Sequence, residues 1–218
     1  MTKSALLKVV LGEFQEGETQ WRLLYQDIVQ LLWREGFSGL TACRADEGLD
    51  EENRLRSLVL ENISFNNLPI VIETFENQDK IQAVLPKLKN KGFHGRIVIM
   101  PAYSLFEEED SMQDHDFLML KIYVKEKSNW LGRTLYEELL EFLQKHDLRW
   151  SVLSRGIEGF GRDHVIHKSS LFSLSSQVPV LIESVGKTDV IKKLIPELKK
   201  RIKDGLVITI PVDVELDS

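Results

Sequence analysis

The stretch R-G-I-E-G-F-G-R-D-H-V-I-H-K, Arg155 to Lys168, gathers residue types suited to holding charge. Gly156, Gly159 and Gly161 permit positive φ and close backbone approach, so successive N–H groups there can converge on an anion. Arg155, Arg162 and Lys168 surround that segment with positive charge, and His167 adds a group able to contact a phosphate. A small anion is the guest this pattern implies. The spacing is neither that of a phosphate loop, G-x-x-x-x-G-K-[ST], nor that of a dinucleotide fingerprint opening a helix. An alternative chemistry uses His164 and His167, three apart beside Asp163 and near Glu158, as imidazole and carboxylate ligands for a metal ion. The plain alternative is a long hairpin that needs flexible residues and binds nothing. Trp130, Gly132, Arg133 and Tyr136, in N-W-L-G-R-T-L-Y, fall at a strand-to-helix turn, where Gly132 and Arg133 can approach the glycine segment.

The elements that position this segment occur twice. All six prolines pair at a separation of 110 residues: Pro69 with Pro179, Pro86 with Pro196, Pro101 with Pro211. Because proline fixes φ and removes a donor, the same backbone constraints recur in the same order, and the chain is a tandem duplication. L-P-I-V-I-E-T at Leu68 to Thr74 answers V-P-V-L-I-E-S at Val178 to Ser184. The counterpart of the glycine segment, R-A-D-E-G-L-D-E-E-N-R-L-R at Arg44 to Arg56, keeps Arg44 and Gly48 in register but loses the other glycines. Asp46, Glu47, Asp50, Glu51 and Glu52 there would repel a free anion.

Within the second copy, Leu118, Leu120, Ile122 and Val124 share one face of Phe117 to Val124, a strand pattern, and Leu135, Leu139, Leu140 and Leu143 follow at helical spacing. Trp150 to Arg155 returns to strand, Val178 to Val185 is a β-branched strand, a helix from Thr188 contains Pro196, which is expected to kink or divide it, and Leu206 to Val212 closes the unit. The first copy repeats the order as strand Ala5 to Glu13, helix Trp21 to Arg34, strands Leu40 to Arg44 and Pro69 to Phe75, helix Asp79 to Lys89 and strand Arg96 to Ala102. The order βαββαβ predicts an α+β protein of two tandem ferredoxin-like α/β sandwich domains, residues 1–106 and 117–218, joined by the linker 107–116. In that plan both helices cover one sheet face, and the apolar second face calls for a partner, either the other repeat or another copy.

The linker holds six acidic and no basic residues, which accounts for the whole net charge of −6. It reads as a solvated connector. No apolar run approaches the length of a membrane span, and the apolar N-terminus recurs inside the chain at Leu118 to Val124, so a cytoplasmic protein without membrane insertion is expected. Cys43 is the single cysteine, which excludes an intramolecular disulfide and a cysteine-ligated zinc centre. No nucleophile, base and orienting acid group by spacing, so no catalytic residues are assigned. The acidic total and the lack of an R-G-F-G-F-V-type strand exclude nucleic acid polymers as expected partners.

The combination L-K-I-Y-V-K-E, W-L-G-R-T-L-Y, R-G-I-E-G-F-G, I-H and V-P-V-L-I-E resembles a bacterial and archaeal branch of the PII-like signalling-protein superfamily, over nearly all of Phe117 to Val214. The resemblance implies a PII-like fold assembled as trimers, with small ligands, often adenine nucleotides, held in clefts between subunits. It also implies that Gly156 to Ser176 is the mobile reporter loop between the second and third strands. No tyrosine lies between Ser151 and Val178, so the nucleotidyl modification of nitrogen-regulatory members is not carried over. The expectation is a non-enzymatic regulator and homo-oligomer that binds a small anion at Arg155, Gly156, Gly159, Gly161, Arg162, His167 and Lys168. The bound anion would order the loop and alter the surface shown to a protein target. The cofactor is unassigned, and a metal-binding or metal-tolerance protein and a ligand-free scaffold are the alternatives.

Overall fold

Alternating apolar side chains make the strands, and apolar residues three and four apart make the helices, in both halves of the chain. A computed structural model describes residues 3–19, 21–50, 52, 54–57, 67–92, 94–104, 115–125, 133–148, 150–169 and 178–215. Its elements in the first repeat are β1 (Ser4–Gly12), α1 (Leu24–Arg34), β2 (Leu40–Arg44), β3 (Glu47–Leu49), β4 (Leu55–Ser57), β5 (Pro69–Asn77), α2 (Gln78–Lys89), β6 (Gly95–Pro101) and β7 (Tyr103–Ser104). The second contains β8 (Phe117–Lys125), α3 (Leu135–Lys145), β9 (Val152–Phe160), β10 (His167–Lys168), β11 (Pro179–Lys187), α4 (Thr188–Arg201) and β12 (Gly205–Val212). This is a mixed α+β protein with a mostly antiparallel sheet. Most of the 107–116 linker lies outside the described residues.

Two compact units emerge, and each takes a segment from the other repeat. Residues 1–100 cluster with 156–167, and residues 101–155 with 168–218. In the first unit the strand order is β6-β1-β5-β2, followed by the Gly156–Phe160 part of β9. Leu40 pairs with Phe160, Thr41 with Gly159 and Ala42 with Glu158, with a bulge before Cys43 meets Gly156. On one face, Ala5, Leu7, Val9 and Leu11 of β1 pack with Ile28, Val29 and Leu32 of α1 and Ile81, Val84 and Leu88 of α2. Phe160 joins this core, and Ile157 and Ile166 pack against it. Fully burying a side chain such as Phe160 contributes about 1.5–3 kcal/mol, so the borrowed strand adds to the core as well as the ladder.

In the second unit the order is β9-β11-β8-β12-β7, with Val152 to Arg155 of β9 paired to β11. Leu118, Leu120, Ile122 and Val124 pack with Leu139 and Leu143 of α3 and Ile191, Leu194 and Leu198 of α4. A capping box starts α3, with the Thr134 amide and hydroxyl both donating to Glu137 Oε2 at 2.8 Å. These hydrogen bonds, with the nearby Arg133 and Arg155, hold the Glu137 carboxyl below its usual range.

Cross-strand ion pairs recur too. Lys8 lies 3.6 Å from Glu73 in the first unit, and Lys121 lies 2.9 Å from Glu183 in the second. Pro86 and Pro196 sit inside α2 and α4, and neither divides its helix. Both prolines are on exposed turns, so water can take the carbonyl four residues earlier that proline leaves without a donor.

Candidate functional site

The segment expected to be a glycine loop is largely a strand. Residues Gly156 to Phe160 extend β9 and pair antiparallel with β2, and among the described residues the positive-φ glycines are Gly36 and Gly92. In a pleated strand successive N–H groups point to opposite sides, so Gly156 and Gly159 do not form a converging cradle of amides. This corrects the loop conformation expected for Gly156 to Ser176. Residues 170–176 of that expected loop lie outside the described residues.

Beyond Gly161 the chain turns. The His164 amide donates to the Gly161 carbonyl at 2.9 Å, and His167–Lys168 returns beside β9 as β10. His164 adopts φ of 53°, the left-handed region, with its ring stacked 6.2 Å from that of Phe160. Trp33 of α1 donates its indole N–H to the His164 carbonyl at 2.7 Å, which ties the turn to the helical layer. Arg162 is exposed and forms no ion pair among the described residues. His167 Nε2 is buried without a hydrogen bond, 3.6 Å from the Asp163 carboxylate.

Of the expected site residues, Gly156, Gly159, Gly161, Arg162 and His167 belong to the first unit, and Arg155 and Lys168 to the second. Arg155 instead meets Tyr136, donating from Nη2 to the phenol oxygen at 2.9 Å with its guanidinium 5.3 Å from the ring centroid. Arg133 is paired with Glu141. Trp130 and Gly132 lie outside the described residues. For the metal alternative, no three His, Cys, Asp or Glu side chains converge among the described residues.

The first repeat folds its corresponding segment into a hairpin of β3 and β4, with Glu47 opposite Ser57, Gly48 opposite Arg56 and Leu49 opposite Leu55. Asp50 at its turn is the centre of a donor ring. Its carboxylate accepts from the amides of Glu52 and Arg54 at 2.9 Å each, from Arg54 Nε at 3.0 Å and from Arg56 Nε at 2.9 Å. Those bonds, the Arg54 amide foremost, hold the carboxyl far below its usual range. The acidic segment thus contains its own bound anion, a role missed when its charges were read only as repulsive. The signal was Arg54 and Arg56, four and six residues after Asp50.

A second feature missed from sequence is the polar neighbourhood of Glu158. Burial pushes the Tyr25 phenol above its usual range, and the carboxylate of Glu158, whose side chain is buried in the first unit, pushes it further in the same direction. Glu13 and Arg44 pair nearby in sequence register at the ends of β1 and β2, 3.3 Å apart. Burial raises the Glu13 carboxyl, against the opposing pull of Arg44.

Comparison with known proteins finds the duplication again. A family model described as "Uncharacterized ACR", DUF190, matches residues 4–103 and a second time residues 117–214. The chain is 31% identical to a "UPF0166 protein" of Aquifex aeolicus over 96 residues, which are 44% of this chain and 90% of that relative. A second "UPF0166 protein", of Methanocaldococcus jannaschii, is 32% identical over 91 residues, 41% of this chain and 83% of the relative. Each relative is thus about the length of one repeat.

Proposed function

The chain belongs to the DUF190 family through both of its repeats, and from that premise we propose a non-enzymatic, PII-like regulator that takes a small anion at the turn of the second-repeat hairpin. The strand orders β6-β1-β5-β2 and β12-β8-β11-β9 support a ferredoxin-like plan for each repeat. An adenine nucleotide is the first ligand to try, with its phosphates at Arg162 and His167 and the hairpin as the element whose order changes. A cytoplasmic setting fits this reading, and no described helix is long and apolar enough to cross a membrane.

One observation carries the proposal. The first-repeat hairpin closes its donors around the Asp50 carboxylate, whereas the residue in register with Asp50 in the second repeat is Gly161. Gly161 offers no carboxylate at that position, and the carboxylate this turn does hold, Asp163, accepts from the Val165 amide at 3.4 Å and leaves His167 Nε2 3.6 Å away without a hydrogen bond. Arg162 and His167 stand where the first repeat has Glu51 and Arg56. A charged ligand then supplies what Asp50 supplies in the first copy. It shifts the hairpin by as much as it prefers the ordered state over the disordered one.

Calorimetric titration with ATP, ADP, AMP and inorganic phosphate tests this. Binding of at least one of them is expected, weakened about tenfold or more by Arg162→Ala or His167→Ala, since a charged hydrogen bond is worth about 1.5–3 kcal/mol. The Trp33 fluorescence should change on binding, and the change should vanish in Trp33→Phe. No binding across the panel, or binding untouched by the double variant, defeats the reading.

A further inference from the structure

The duplication exposes a strand edge in the first unit that the second unit keeps covered. Strand β12 lies between β8 and β7, with Ile208 opposite Ser104 and Thr209 opposite Tyr103. Strand β6 is its counterpart, Gly95 answering Gly205, Val98 answering Ile208 and Pro101 answering Pro211. Among the described residues β6 has β1 as its one strand neighbour. Val98 is 40% exposed while Ile208 is 0% exposed. An uncovered edge presents unpaired N–H and C=O groups and is a template for another strand, and β6 has one charged residue, Arg96, to discourage pairing.

The chain also carries a segment of the kind that covers this edge. In the first repeat, β7 follows Pro101–Ala102; in the second, Asp213–Val214 follows Pro211–Val212 at the same place. Asp213 and Val214 lie outside any strand. We propose that Asp213–Val214 of a second copy of this chain adds to β6, with Val214 opposite Val98 and Asp213 opposite Ile99, repeating between chains the pairing that β7 makes with β12. The acidic flanks Asp213 and Glu215 then approach the strand that carries Arg96. Each copy has one such edge and one such tail, so the contact is heterologous and closes when a ring of copies forms. This interface stands independently of any anion at the hairpin.

Native mass spectrometry and light scattering of the full chain should show an oligomer, and a chain truncated after Val212 should be folded by circular dichroism yet monomeric. Register is tested in a Cys43→Ser background by Val98→Cys with Val214→Cys, because a disulfide needs Cα atoms roughly 4.4–6.8 Å apart. Oxidation should link separate chains, giving bands at twice the chain mass and at higher multiples of it on a non-reducing gel. A monomeric full chain, an oligomer unaltered by the truncation, or a cross-link confined within one chain would each overturn the proposal.

Discussion

Tyr25 and Glu158 lie far apart in sequence and share one buried neighbourhood in the first unit. Burial is the main cause that pushes the Tyr25 phenol above its usual range, the Glu158 carboxylate adds to it, and the Gln26 hydrogen bond and Arg44 oppose it. The folded state therefore holds the Tyr25 proton more tightly than the unfolded chain does. Its stabilising effect is complete below the ordinary tyrosine value of about 10 and is lost as pH rises through the folded value. Alkaline titration followed by phenolate absorbance should show a late-ionising tyrosine that disappears in Tyr25→Phe. Glu158→Gln should move that step to lower pH without abolishing it. A titration unchanged by Tyr25→Phe contradicts this assignment. Residues of this kind were hard to find from sequence, because what perturbs Tyr25 is a carboxylate delivered by the other repeat. Asp50, by contrast, had its partners within six positions.

At the scale of elements, the prolines in the helices give a direct test of cost. Pro86 and Pro196 each remove one helical hydrogen bond, and the penalty of proline in a helix interior is about 3 kcal/mol relative to alanine. Both are exposed, so replacement disturbs no core packing. Pro86→Ala and Pro196→Ala should each raise the unfolding free energy by about 1–3 kcal/mol, read as a higher denaturant midpoint at unchanged slope. A lower midpoint would mean that the proline fixes a helix geometry the core requires. These helices and their strands were legible because their apolar periods are long and repeat at a fixed offset. The extension of β9 was not: R-G-I-E-G-F-G has three glycines and reads as loop, since glycine contributes little to strand preference. What makes it a strand is the β2 edge beside it and the burial of Phe160 in the first-unit core, neither of which is a local property. Two-residue strands such as β7 and β10 are similarly invisible, because too few positions exist to show a period.

For the whole molecule, the consequence of duplication is that repeat and folding unit are different objects. The first unit draws on residues 156–167 from the second repeat, and the second unit draws on residues 101–104 from the first. A piece comprising residues 1–106 keeps β1 to β6 but loses the strand beside β2 and the Phe160 side chain, which is 4% exposed in the intact protein. Removing a buried phenylalanine alone costs about 3–5 kcal/mol, a large share of the roughly 5–15 kcal/mol that holds a domain folded. The complementary piece, 107–218, loses β7 and leaves β12 uncovered. Each piece expressed alone should therefore be less cooperative in thermal unfolding and exchange its edge amides faster than in the intact chain. Mixed in equal amounts, the two should associate and recover the native exchange pattern at β2, at Gly156 to Phe160 and at β12. Phe160→Ala in the second piece should weaken that association more than Val165→Ala, whose side chain is 51% exposed at the turn. If both pieces fold fully alone and ignore each other, the exchanged segments are ornament rather than structure, and each repeat is a self-sufficient domain.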